Sequence, residues 1–261
     1  MGNNFIFAIL LTLFAGLATG VGSVMALFAK QTNTKFLAGS LGFSAGVMLY
    51  VAMVEIYQKG KVYLGAAVGE VSGCAYAAIF FFAGILLIGI IDFVVPSTEG
   101  DIGSLSGKNN SKSLKRMGFM TALAIGIHNF PEGLATFTSA LRDPHLGVAI
   151  AVAIAIHNIP EGIATSAPIY FATGKRKKAF LVSFLSGMTE PIGAVIGYIL
   201  LRPFFGDFVF GALFAIVSGI MVFISIEELL PMARELEKSR VTIIGAVGGM
   251  MVMALSLLMF M

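Results

Sequence analysis

The sequence predicts an all-α membrane protein: eight transmembrane helices in a 3+2+3 inverted-repeat bundle, with both termini extracytoplasmic. Three observations predict it. Hydrophobic residues make up 57% of the 261 and charged residues only 12%, with mean hydropathy +0.93. A soluble domain is about half apolar and about a quarter charged. Apolar runs of about 20 residues, the length that crosses a bilayer, recur along the chain. Finally, the string His128-Asn129-Phe130-Pro131-Glu132-Gly133-Leu134-Ala135-Thr136 returns further along as His157-Asn158-Ile159-Pro160-Glu161-Gly162-Ile163-Ala164-Thr165. Each copy sits inside an apolar run.

The elements follow in order. Residues 5–28 form the first span; no Lys or Arg precedes Lys30, so the segment lacks the basic n-region of a signal peptide and reads as retained. Span two, 36–56, contains Gly42-Phe43-Ser44-Ala45-Gly46-Val47-Met48-Leu49 and ends near Glu55. Span three is 70–95. Residues 96–116 are rich in Ser, Gly, Asn and Lys and suit a flexible connector. Spans four and five, 117–140 and 146–171, carry the duplicated motif. Span six, 179–201, carries Glu190 before Pro191. Span seven, 208–231, ends with Glu227 and Glu228, and span eight is 241–260. Residues 1–261 thus read as a single transmembrane domain.

Charge sets the orientation. Of the 17 Lys and Arg, 13 fall in alternate loops starting with the first, among them Lys30, Lys108, the run Lys175–Lys178 and Arg234. The other face holds only Lys59, Lys61, Arg142 and Arg202. The positive-inside rule puts the basic loops in the cytoplasm. The net charge of +3 is therefore a topology signal, not a nucleic-acid surface. The single Cys74 excludes an internal disulfide and a thiolate cluster.

The spacing from His128 to His157 is about one span plus a turn, so spans four and five are antiparallel neighbours with like residues near the midplane. A shorter echo relates Gly46-Val47-Met48 and Glu55 of span two to Gly219-Ile220-Met221 and Glu228 of span seven, all in one register. Like segments in antiparallel spans suggest the inverted repeats of secondary transporters.

On a helix, residues i and i+4 share a face. His128 pairs with Glu132 and His157 with Glu161, and two such helices facing each other bring two imidazoles and two carboxylates together. Ionisable groups are costly in a membrane, and a divalent cation offsets the cost of burying two carboxylates. Mixed N/O donors suit Zn2+, Fe2+, Mn2+ or Co2+. Pro131 and Pro160 free the carbonyls of Ile127 and Ile156. Asn129 and Asn158 can supply neutral oxygens to a second, adjacent ion. Glu190, also beside a proline, adds a carboxylate from a third helix. Glu55, Glu227 and Glu228 lie nearer the membrane boundary and can line an entrance or exit.

A lone histidine in an apolar helix is ordinarily a hydrogen-bonded packing residue; duplication of the whole string favours ligation. Boundary glutamates can simply be solvated. Two other functions compete with metal transport. An embedded metallohydrolase needs an open metal position and a general base, and the chain has no His-Glu-x-x-His. A proton-linked carrier could use the His/Glu set as a relay.

The paired motifs, the second-helix string and the eight-span layout resemble the ZIP (Zrt/Irt-like) divalent metal transporters, specifically their bacterial zinc-uptake branch, over nearly the whole chain. The resemblance implies one metal held by His128, Glu132, His157 and Glu161. It implies a second held by Asn129, Asn158, Glu161 and Glu190, with Glu161 bridging. It further implies import into the cytoplasm across a bacterial inner membrane, an elevator-type motion and a homodimer. About two divalent ions per chain, Zn2+ first and Fe2+, Mn2+, Co2+ or Cd2+ besides, would be cargo, with no prosthetic group and no enzymatic activity. Many relatives carry a histidine-rich loop between spans three and four. Residues 96–116 contain no histidine, so a metal-handing role does not carry over to this loop. Some relatives have Asp or Gln at the positions of Asn158 or His157, so metal preference does not carry over either.

Overall fold

A computed structural model describes residues 2–28, 34–94, 110–142, 144–204 and 206–259. Lys30, Lys108 and most of the predicted connector lie outside the described residues. Among the described residues every regular element is helical. The elements are α1 (Gly2–Phe28), α2 (Thr34–Val51), α3 (Tyr57–Val68), α4 (Glu70–Val94), α5 (Asn110–Arg142) and α6 (Pro144–Thr173). They continue as α7 (Arg176–Gly187), α8 (Thr189–Leu201), α9 (Asp207–Ile224), α10 (Leu230–Leu236) and α11 (Val241–Met259).

Among the described residues seven helical stretches are long and apolar enough to cross a membrane: Asn4–Phe28, Thr34–Val68, Glu70–Ile90, Gly147–Ala167, Arg176–Leu200, Asp207–Leu236 and Val241–Met259. The predicted fourth span lies within α5. Its 33 residues give about 50 Å at 1.5 Å per residue, more than the ~30 Å hydrocarbon core. With α5 the chain is a multi-pass membrane protein.

Three local features depart from the predicted elements. First, span two runs on to Val68 as one rod, because Tyr57–Lys61 stay helical. Their polar side chains suggest a loop, but Gly60 and Leu64 on the same segment are buried and pack on α9. Second, α2 passes into α3 through a π-helical turn, Ala52–Ile56, and α9 into α10 through another, Ser225–Leu229. The two turns align in the same register as the Gly-x-Met echo. Third, span six is two helices, broken at Met188. Pro191 falls in the first turn of α8, where its missing N–H leaves no ladder bond unmade. Pro131 and Pro160, by contrast, are accommodated inside continuous helices.

Sharp turns use glycine where the backbone requires it. Gly69, at φ 90°, separates α3 from α4, and Gly174, at φ 65°, ends α6. The Gly174 N–H donates to the Tyr170 carbonyl at 2.8 Å, which closes the helix end.

The helices sort into two groups. One is built from α1, α5, α6, α7 and α8, the other from α2, α3, α4, α9, α10 and α11. The groups meet chiefly where α2 lies on α6 and α5 on α9. Ala135, Ala153, Ala164 and Ala167 supply small buried residues from α5 and α6 to this seam. Facing them are Leu41, Met48, Phe214 and Ile220. The hydrophobic effect does not drive helices together in lipid, so close packing of small residues must hold such a seam.

Candidate metal centre

The two motif copies lie in α5 and α6, and their glycines set how closely the neighbours approach. A Cβ on Gly133 would stand 2.0 Å from the Glu190 carbonyl oxygen of α8, and one on Gly162 would stand 2.0 Å from the Thr19 carbonyl of α1. The reverse contacts match. Gly193 of α8 would meet the Phe130 carbonyl at 2.1 Å, and Gly22 of α1 the Ile159 carbonyl at 1.7 Å. Span four thus packs on span six as span five packs on span one, through the same motif positions. Between spans one and six the equivalent residues keep one register: Ala15 with Ser186, Thr19 with Glu190, Gly22 with Gly193. Gly16 and Gly187 share this register, and a Cβ on either would stand 2.6 or 2.5 Å from the other's carbonyl oxygen.

Asparagine follows the same rule. Asn129 Nδ2 donates to the Ser186 carbonyl at 3.3 Å, and Asn158 Nδ2 to the Ala15 carbonyl at 2.9 Å. Both amides are thereby oriented by backbone from a neighbouring helix. Asn158 Nδ2 also donates to Glu190 Oε1 in a short contact. Asn129 Oδ1, Asn158 Oδ1 and Glu190 Oε2 have no hydrogen-bond partner among the described residues. A buried oxygen in that state costs free energy that a cation would offset.

His157 Nε2 lies 3.2 Å from Glu132 Oε1 and 3.9 Å from Glu161 Oε1. Two donors each about 2.0–2.1 Å from a tetrahedral zinc stand roughly 3.3 Å apart. The His157–Glu132 separation already fits that edge; Glu161 needs a wider angle or a small side-chain shift. The same separation suits an ion pair when the imidazole is protonated, so a proton and a metal compete for this space. Among the described residues no three of His, Cys, Asp and Glu close around one point. His157 instead links two carboxylates in a chain of contacts. The fourth predicted donor, His128, lies in α5 one turn before Glu132, and its side chain is outside the described residues.

Burial sharpens the electrostatics. Glu132, Glu161, Glu190, His157, Asn129 and Asn158 are all 0% exposed. An ion without compensation costs several kcal/mol to bury, and three carboxylates from three helices share one interior.

Glu55, Glu227 and Glu228 do not join this centre. They sit on the two π-turns of the other helix group, which pack on α2, α3, α9 and α10. Glu55 and Glu228 are half-buried and Glu227 is exposed. Glu55 Oε1 lies 3.8 Å from Lys59 Nζ. π-turns occur preferentially at functional positions.

Sequence reasoning gave Thr165 no role. It is the last residue of the second motif copy, one turn past Glu161 on the same helix face. Thr165 is fully buried, and Oγ1 has no hydrogen-bond partner among the described residues. Its counterpart Thr136 donates to the Glu132 carbonyl at 3.1 Å. Only this asymmetry separates the two threonines, and side-chain identity cannot reveal it.

The family model for the ZIP Zinc transporter matches residues 95–257. The "Zinc transporter ZupT" of Chlorobaculum parvum is 56% identical to this chain over the whole of both sequences. That of Nitratidesulfovibrio vulgaris is 57% identical over 98% of each, and that of Streptococcus mutans 53% identical over the whole of both. The chain belongs to the ZIP zinc transporter family, a family of membrane transporters and not of enzymes.

Proposed function

We propose that this chain imports divalent transition metals, Zn2+ foremost, across the bacterial plasma membrane into the cytoplasm through a two-ion centre at the bilayer midplane. The observation that carries the reading is the set of fully buried carboxylates, with Glu132 and Glu161 on His157 and Glu190 on Asn158. Ionised carboxylates are costly in a membrane interior, and bound cations offset that cost. Three relatives bearing zinc transport in their names support Zn2+. The nitrogen and oxygen donors also suit Fe2+, Mn2+, Co2+ and Cd2+.

One ion takes His128, Glu132, His157 and Glu161. The other takes Asn129, Asn158, Glu161 and Glu190, with Glu161 between them. The asparagine oxygens facing the second ion are neutral, so that ion is the weaker held and the first to leave. The matched contacts of spans four and five, the common register of spans one and six, and the aligned π-turns support a 3+2+3 inverted repeat, and the bias of Lys and Arg to alternate loops supports termini outside. The division of the helices into two groups that meet chiefly at α2–α6 and α5–α9 supports movement of the α1/α5/α6/α7/α8 group as a carrier against the other group, an elevator-type exchange. A homodimer would fix the second group. Glu55 toward the outer face and Glu228 toward the inner face are the symmetric stations that receive and release the ion.

The test is zinc flux into sealed liposomes containing the purified protein. Flux is expected for the wild type and lost for Glu161→Ala. Full flux through Glu161→Ala sinks the assignment. Running the wild type with competing metals, with and without a pH gradient, reports selectivity and coupling.

A further inference from the structure

Between α5 and α7 lies an apolar groove of about 610 Å3 that the metal centre does not use. Phe119, Leu123 and Phe130 line one wall, and Val182, Leu185 and Thr189 the other. Leu123 is 45% exposed and Leu185 55% exposed, so the groove opens to the side of the bundle, where lipid lies. From Phe119 to Phe130 it runs eleven residues of α5, about 16 Å at 1.5 Å per residue. Half of a ~30 Å hydrocarbon core is ~15 Å, so the groove has the length of one leaflet's acyl chain.

Its outer end is charged. Lys178 Nζ lies 5.1 Å from the centre of the Phe119 ring. Lys178, Val182, Leu185 and Thr189 follow one another on a single face of span six. The half-buried Lys178 therefore caps the groove, with the exposed Lys175, Arg176 and Lys177 beside it. An apolar slot one leaflet deep, closed at its polar end by ammonium groups, matches a molecule with an anionic head and a long apolar tail. Basic pockets between membrane helices bind anionic lipid headgroups in this way.

We infer that the α5–α7 groove binds an anionic phospholipid of the basic-loop leaflet, its phosphate at Lys178 and one acyl chain along the groove to Thr189. The inner end of the groove touches the span-six break. Thr189 Oγ1 donates to the Ser186 carbonyl at 2.6 Å, the same carbonyl that orients Asn129. The bound tail thus supports the backbone that positions Asn129 and Glu190.

Native mass spectrometry of the purified protein, loaded with equal phosphatidylglycerol and phosphatidylcholine in the absence of metal, tests this independently of the transport reading. Wild type retains phosphatidylglycerol preferentially. Lys178→Gln lowers that retention about five-fold, corresponding to ~1 kcal/mol per basic side chain near the surface, and leaves phosphatidylcholine unchanged. Val182→Trp fills the slot and removes both lipids; Leu185→Trp, at an exposed position, does the same should Val182→Trp fail to fold. Arg234→Gln changes neither. An unchanged preference in Lys178→Gln overturns the inference, as does an equal loss in Arg234→Gln, which would mean surface potential alone. Loss of a dimer without loss of lipid in Val182→Trp would place a second copy in the groove and also overturn it.

Discussion

Gly133→Ala is the smallest change that moves the metal centre without removing a donor. Its Cβ would lie 2.0 Å from the Glu190 carbonyl oxygen, whereas ordinary contact begins at 3.4 Å, so α5 and α8 must move apart to open the difference. That contact is backbone, so no rotamer change relieves it. The separation carries Glu132 and Glu190 apart and stretches the span-six break. Overpacking of this kind costs about 1–3 kcal/mol. Displacing the support of metal donors typically costs about 10–100-fold in metal affinity or activity, and zinc flux should fall by that factor. Gly126→Ala is the control in the same helix, because its nearest contact would be Thr189 Cγ2 at an ordinary 3.5 Å. Both variants are compared with wild type for zinc flux in liposomes and for melting in detergent. Equal flux in Gly133→Ala and Gly126→Ala would refute the claim that backbone contact at Gly133 holds the centre together.

Three further outcomes follow from the geometry. Glu55→Gln and Glu228→Gln should each slow zinc flux while leaving equilibrium zinc binding unchanged, since neither carboxylate reaches the centre; weakened binding in either would contradict this. Thr165→Val removes the buried hydroxyl one turn from Glu161 and should lower flux more than Thr136→Val, whose hydroxyl already bonds backbone; the reverse order would deny Thr165 a place on the path. Zinc affinity should fall as pH falls, because protonation turns the His157–Glu132 contact into an ion pair and displaces the metal. An affinity flat with pH would separate His157 from the metal.

Much of the centre was legible in the chain because it is written twice. The strings from His128 and His157 identify their helices and the shared face of His and Glu, whereas the close approach at Gly133 and Gly162 shows only in the packing. Glu190 was legible as a carboxylate beside Pro191, although the break itself falls at Met188. The pairing of Thr19 with Glu190 and of Ala15 with Ser186 was not legible. Their backbones make the contacts, so their side chains need not match. Nor do Ala-Met-Val-Glu-Ile and Ser-Ile-Glu-Glu-Leu mark the π-turns, since a π-turn is a ladder slip that many sequences can adopt. The length of span two was hidden because Lys59 and Lys61 lower the local hydropathy while Gly60 and Leu64, between and beyond them, pack on α9.

The central claim is that the two antiparallel motif copies jointly hold the transported ions. The most direct measurement is zinc bound per chain at equilibrium in the purified protein, combined with X-ray absorption at the zinc edge to count imidazole ligands. The account predicts about two ions with mixed nitrogen and oxygen donors, and loss of both in Glu161→Gln. A single ion with no imidazole ligand, or unchanged binding in Glu161→Gln, would contradict it.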